Sequence, residues 1–252
     1  FSESKKLVQA GHQELVLTGV NIGTYQNDGH DFMSIINKFK FVSGLKRLRV
    51  SSIEPTTIPN SFIEAMASDS NLCRYLHIPL QSGSDDILKA MSRKYTCEEF
   101  LGFINKAYDH VDKICIGTDV IVGFPGETEK HFFETYEFLE KAPIHYFHVF
   151  SYSERKFARS KKITDKVDTQ TIQKRSQLLR SLSNKKLEAF YKRFLNSKME
   201  VLFETCKDGF WTGLTDNYVK VKVQSYRDLK NQYSVVSIVG YDNFCLIGTL
   251  DS

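Results

Sequence analysis

The chain has 252 residues, 41% hydrophobic and 25% charged, with a formal net charge of +4. That length suits one large domain, or a large one beside a small one, and the composition excludes a disordered or fibrous chain. No apolar run approaches the ~20 residues of a membrane span and no signal peptide is visible, so a cytoplasmic protein with no membrane partner is expected.

Up to about residue 150, helices and strands alternate. A helix tail from Lys5 to Ala10, closed by Gly11, leads into the strand "ELVLTGV", and a helix around Phe32–Phe39 precedes "LKRLRVSSI". A helix after "TIPNSF" leads to "RYLHIPL"; helices from Asp85 and across Cys97–Tyr108 lead to "KICIGTDVIV"; a helix over Glu129–Lys141 leads to "IHYFHVFSY". This rhythm predicts α/β units around a parallel sheet, as a βα barrel or a doubly wound sheet. After Glu154 the text turns basic: residues 154–198 hold fourteen Lys/Arg against four Asp/Glu, net +10, with a long helix predicted from Thr169. From Met199, "MEVLFET", "FWTGLTD", "YVKVKVQ", "YSVVSIV" and "FCLIGTL" alternate with period two between Gly, Asn and Asp. They predict a small all-β, OB-like barrel. Domains are therefore drawn at 1–155, 156–197 (basic segment and helix) and 198–252.

The five cysteines, Cys73, Cys97, Cys115, Cys206 and Cys245, form no C-x-x-C or C-x-x-x-C pair, which argues against a zinc knuckle or a disulfide scaffold. They read as buried free thiols, and no metal ligand is assigned.

In both candidate architectures working residues lie at the C-terminal ends of strands. All five ends turn small and polar: "TGVNIGTY", "SSIEP", "PLQSGS", "VGFPGE" and "FSYSER". The glycines of Thr18–Thr24 let backbone face a ligand, or simply make a turn. Ser84 before Asp85 and Asp86 reads as a helix N-cap, but that does not account for Gln81 and Ser82, whose groups suit sugar hydroxyls. Pro125 and Thr128 can end a strand and start a helix, yet Phe124 after Gly123 also offers a flat apolar face beside open backbone, which suits a purine. The basic helix alone would be a solvated face. Beside a barrel carrying Trp211, Tyr218, Lys220 and Lys222 it points instead to nucleic acid, with lysines on phosphate and aromatics on bases.

Taken together these stretches closely resemble the tRNA methylthiotransferases of the radical S-adenosylmethionine superfamily. "ELVLTGVNIGTY", "RLRVSSIEP", "YLHIPLQSGSDDILKAMSRKYT", "GTDVIVGFPGETEKHF" and "FSYSER" arrive in family order, and "DGFWTGLTDNYVKVKV" resembles the family's RNA-binding TRAM domain. "SSIEP" and "TDNY" are more similar to the branch acting on N6-threonylcarbamoyl-adenosine than to the isopentenyl-adenosine branch. The resemblance implies a partial (β/α) radical-SAM barrel, strands 2–6 of six, followed by a TRAM barrel. It also implies S-adenosylmethionine and 4Fe-4S clusters as cofactors, with tRNA and an electron donor as partners of a monomeric enzyme. A 5′-deoxyadenosyl radical would abstract hydrogen at C2 of the adenine, where sulfur and a methyl group are then installed, the cofactor carrying the hard chemistry.

Carried over residue by residue, the region Gly19, Asn21 and Gly23 matches the methionine side of the cofactor. Gln81 and Ser82 match its ribose side, and Val120, Ile121, Gly123 and Phe124 its adenine side. Glu54 and Arg155 face the same rim as contacts to cofactor or substrate. Three departures stand out: the C-x-x-x-C-x-x-C loop and the family's N-terminal domain are absent, and Lys156, Phe157 and Ala158 replace the usual Pro-Gly-Thr. Because Phe1 begins inside a helix, a fragment of a longer enzyme, inactive alone, is expected. The alternatives are a non-catalytic RNA-binding remnant or a sugar-phosphate enzyme on an ordinary βα barrel.

Overall fold

The computed structural model describes residues 1–19, 21–154 and 165–251. Five parallel strands line up in an arc. β1 (Glu14–Leu17) pairs with β4 (Arg47–Val50), and β6 (Cys115–Val122) pairs with both β5 (Tyr75–His77) and β7 (Tyr146–Ser151). A bridge between Leu48 and Leu72 and a hydrogen bond from Ile53 N–H to the His77 carbonyl join the two sheets. The short hairpin β2 (Gln26–Asn27) and β3 (His30–Asp31) sits in the loop after β1. All five main strands coincide with the apolar runs of the sequence.

Six helices follow that pattern: α1 (Ser2–Gln9), α2 (Phe32–Phe39), α3 (Asn60–Ser68), α4 (Asp85–Ala90), α5 (Cys97–His110) and α6 (Glu129–Lys141). Their starts are chemically marked. Thr96 and Glu99 form a capping box on α5, Thr128 and His131 do the same on α6, and Asp31 accepts the Ser34 N–H on α2. Ser84 does stand at the N-cap of α4, but its hydroxyl donates to Glu134 Oε2 at 2.5 Å rather than to the helix. The helices bury Ile36, Phe62, Phe100, Ile104 and Leu139 against the outward strand residues Leu48, Leu76, Ile116 and Val120. Each such side chain contributes roughly 1.5–3 kcal/mol of apolar burial.

The strand ladder breaks at Pro79, which has no N–H to donate. Thr118 repairs the gap: its fully buried hydroxyl donates to the Ile78 carbonyl at 2.6 Å and accepts the Leu80 N–H at 2.8 Å. Pairing then resumes, with Gln81 opposite Val120.

The long helix α7 (Thr169–Lys192) starts at Asp168, which caps the Thr171 N–H. It belongs to two cores. Leu179 and Leu182 pack under the arc, while Phe190, Tyr191 and then Phe194 pack with a closed five-stranded barrel. That barrel is β8 (Lys198–Lys207), β9 (Phe210–Leu214), β10 (Lys220–Gln224), β11 (Tyr233–Asp242) and β12 (Cys245–Leu250), in the order β10-β12-β11-β8-β9. Asp208 and Gly209 join β8 to β9 with positive φ at both positions, as a tight hairpin turn requires. Closure leaves the barrel no free edge.

His145 sits where arc and α7 meet, its ring 4.1 Å from that of Phe190 and its Nδ1 accepting the Ile116 N–H. Burial, with the charges of Arg193 and Lys186, lowers its pKa from 6.5 to about 3. The unfolded chain therefore takes up a proton here before the folded one does. This stabilisation is complete above pH 6.5 and is lost as pH falls toward about 3, at up to about 1.4 kcal/mol per pH unit. Urea unfolding across that window should show the slope, and His145→Asn, which keeps an acceptor, should flatten it. An equal slope in the variant would place the titration elsewhere.

Candidate functional site

Strand alternation turns Leu15, Leu48, Leu76 and Ile116 to the helices, so the intervening residues point into the arc. Much of that inner face is polar. Arg47 and Arg49 on β4 are only 3% and 4% exposed. Arg49 grips Glu14 of β1 with two bonds of 2.8 and 3.2 Å, the strong bidentate form. Its remaining N–H groups donate to the carbonyls of Thr215 and Asp216, and Arg47 donates to those of Leu214 and Glu200. The turn 215–218 of the closed barrel is thus docked under the arc. Asn217 within it is fully buried and donates to the Lys113 carbonyl at 2.9 Å. Asp216 binds Arg74 at 2.6 Å; burial opposes its charge, but Arg74 prevails and holds it below the usual carboxylate range. Tyr218, at φ +64, stacks on Tyr75 with centroids 4.4 Å apart.

Further along the inner face, His77 Nε2 lies 3.1 Å from Asp119 Oδ1, and His77 Nδ1 lies 3.3 Å from the Tyr146 hydroxyl. That hydroxyl is 2.5 Å from the Tyr75 hydroxyl, and burial raises the pKa of both phenols, which keeps them neutral. Tyr146 can cross the arc because Gly117 has no Cβ, which would collide with its ring. His148 on β7 completes the group and is exposed. His77 and His148 line a cavity of about 410 Å³ together with Glu14, Arg49, Glu204 and Tyr218.

The strand-end residues expected to meet the cofactor fall into two groups. Gly19 and Asn21 line a recess of about 360 Å³ with Ile22, Tyr25 and Phe32. Asn21 Oδ1 accepts from Thr57, whose neighbour Glu54 pairs with Arg93, and Gly23 packs so closely on Thr57 that a Cβ would collide. The second group follows β5 and β6. Gln81 takes φ +73, rare for a residue with a side chain, and its backbone N–H donates to the Asp119 carbonyl at 2.8 Å. Ile121, half-buried on the inner side, is hydrogen-bonded through its N–H to the Gln81 carbonyl.

Four expected contacts are redirected by packing. The Ser82 hydroxyl is buried between Thr135 and the Ser84 N–H, so it shapes the turn rather than facing a sugar. Val120 points into the helix-side core. The Gly123 N–H goes to Glu127 Oε2, and Glu127 is held by Arg175 of α7 at 2.5 Å; Ile172 of that helix covers Gly123. Phe124 is 6% exposed and meets Tyr152 edge to face, so its ring is a packing element. Arg155, with Lys156, Phe157 and Ala158, lies outside the described residues.

On the closed barrel Trp211 is buried in the core, where its ring has no free face for a base, and Tyr218 is turned to the arc. Lys220 and Lys222 instead line a groove of about 460 Å³ with Lys207, Phe210 and Thr212, and Lys222 sits 4.2 Å over the Phe210 ring. Of the cysteines, Cys73, Cys115 and Cys245 are buried, Cys97 is half-buried and Cys206 is exposed, contrary to the expectation that all are buried. Burial pushes the Cys73 and Cys97 thiols up to about 12, which opposes thiolate ligation.

Sequence reading missed Glu14, Arg47, Arg49, His77, Asp119 and His148. Their signal was a polar residue at every second position of apolar strands ("RLRV", "YLH", "GTDV", "FHVF"), which reveals an inner face only once the strands are aligned.

A parallel βα arc with loops gathered at its strand ends is the class of protein that this geometry defines. Residues 2–139 match the Radical SAM superfamily, and the chain belongs to that family. It is 36% identical over 247 residues to the threonylcarbamoyladenosine tRNA methylthiotransferase MtaB of Bacillus subtilis, covering 95% of this chain and 55% of that protein. It is 32% identical over 257 residues to the tRNA-2-methylthio-N(6)-dimethylallyladenosine synthase of Campylobacter jejuni, covering 99% of this chain and 59% of that one. The chain thus spans little more than half the length of these relatives. The solved Escherichia coli coproporphyrinogen III oxidase HemN shares the fold, with a TM-score of 0.56 at 14% identity over 81% of this chain and 54% of that one.

Strain at Gln81 gives a direct check. Gln81→Gly removes a left-handed side-chain conformation that costs on the order of 1–3 kcal/mol, so the variant should unfold at higher urea, by about 1 kcal/mol after the entropy of glycine is counted. Lower stability would show that the amide has a structural role.

Proposed function

We propose that this chain is part of a tRNA methylthiotransferase that modifies C2 of N6-threonylcarbamoyl-adenosine beside the anticodon, working in the cytoplasm. The observation that carries the reading is the 36% identity to the Bacillus subtilis enzyme across 95% of the chain. The Radical SAM match and the lysine-lined groove on the closed barrel support it. Similarity of comparable extent to the dimethylallyladenosine enzyme supports isopentenyl-adenosine as the second reading.

S-adenosylmethionine, when bound, supplies a sulfonium whose reductive cleavage initiates chemistry at an unreactive C–H bond. The residues present fit it. Gln81 presents a side-chain amide at a strand end from a strained backbone, and that group can donate to and accept from hydroxyls. Asn21 and the backbone at Gly19 and Gly23 would hold the polar end, and Ile121 would give an apolar wall. The work of these residues is to orient and to exclude water. Burial holds the Cys73 and Cys97 thiols up at about 12, which disfavours the thiolate form that an iron–sulfur cluster needs. An electron donor and the cluster ligands therefore belong to the reading of the whole protein.

Nucleoside mass spectrometry of tRNA from a strain lacking the gene tests the substrate. Loss of the methylthio group on threonylcarbamoyl-adenosine, with the isopentenyl nucleoside unchanged, is expected. The reverse favours the second reading, and two unchanged signals reject both. For the RNA face, Lys220→Ala with Lys222→Ala should weaken tRNA binding and lower the log–log salt slope by about 0.7–0.9 for each phosphate no longer neutralised. An unchanged slope would move the tRNA interface off this groove.

A further inference from the structure

We propose that His77, Asp119 and His148 form a binding site for a divalent transition-metal ion on the inner face of the arc. Such a site is independent of the function proposed above. The ligand atoms, one from each of three residues on three adjacent strands, all lie within 4.8 Å of one another. The closest pair, His77 Nε2 and Asp119 Oδ1, is already at 3.1 Å. Ligands each ~2.0–2.2 Å from one ion stand only slightly farther apart than that, so a rotamer adjustment of exposed His148 closes the set. Two imidazoles and one carboxylate on a single side leave coordination positions open for water or a substrate atom, and imidazole favours zinc, iron or cobalt over magnesium or calcium.

Three further observations fit the same occupant. The ligands project from the rigid β5–β6–β7 sheet rather than from loops, so their spacing is fixed by backbone pairing. His77 Nδ1 has a partner in the Tyr146 hydroxyl, the kind of outer contact that fixes the tautomer of a metal-bound histidine. With a metal on Nε2, Nδ1 carries the ring proton and donates it to Tyr146, whose own proton turns to Tyr75. Finally, the cavity in front of the site carries Glu14 and Glu204 against Arg49, and Asp119 adds a further negative charge, so its balance favours a cation. The Glu204 carboxyl is pushed up by burial and by Glu14, an effect that a nearby cation would relieve.

The test uses the untagged 252-residue chain titrated with Co²⁺, read by visible d–d absorption and by calorimetry, with Zn²⁺ as competitor. One Co²⁺ per chain, displaced by Zn²⁺, is expected. His148→Ala and Asp119→Asn should each weaken binding at least ~10-fold, and Tyr146→Phe, which spares every ligand, should weaken it ~10–100-fold. His148 is exposed, so its replacement leaves the fold intact and keeps the test valid if His77→Ala fails to fold. Absence of a d–d band at saturating Co²⁺ would overturn the proposal. So would binding unaffected by His148→Ala and Asp119→Asn, the result expected if exposed Cys206 were the ligand.

Discussion

Two guanidinium groups buried beneath a β-sheet set the terms for this chain. A charge taken out of water costs several kcal/mol unless it is paired and fully hydrogen-bonded. Arg47 and Arg49 meet that demand from two sides, through Glu14 on the neighbouring strand and through the carbonyls of a turn from the closed barrel. In the buried state both partners are needed to satisfy these donors, so the arc and the barrel are joined by a shared polar requirement as well as by apolar contact. The apolar part of the junction comes from α7, whose Phe190 and Tyr191 extend the barrel core up to Tyr75 and Tyr146.

This arrangement divides the inner face into tiers. At the bottom the turn 215–218 closes the arc and places Tyr218 on Tyr75. Above it His77, Asp119 and His148 face a cavity. Higher still, at the strand ends, Gln81 and Ile121 stand where the family's cofactor is expected. Thr118 links the tiers by repairing the ladder at Pro79, which lets β5 run on to Gln81. The basic segment is divided in its use: Arg175 is buried on Glu127 and Lys186 binds carbonyls at the end of α6, so part of its charge serves packing.

Much of the fold was legible because period-two and helical apolar patterns are local properties of the text. "ELVLTGV" and "YVKVKVQ" show their periodicity without any partner, and Thr128 marks the start of the helix that follows it. The site was less legible because a motif does not say what its groups are bonded to. Ser82, Gly123 and Phe124 read as ligand contacts, yet neighbours from α6, α7 and Tyr152 already occupy them. Trp211 reads as a stacking ring, and the barrel interior claims it.

The sequence by itself determined the alternation of elements, the change from α/β to all-β text after residue 198, and the family, because each depends on residue order alone. Only the tertiary structure decided which polar side chains share a space. Glu14 and Arg49 are 35 residues apart, and Arg49 and Thr215 are 166 apart. No local pattern encodes such contacts: strand register brings the first pair together, and α7 with the closed barrel brings the second. The same folding made Tyr218 a plug for the arc and left Lys220 and Lys222, a few residues on, facing outward.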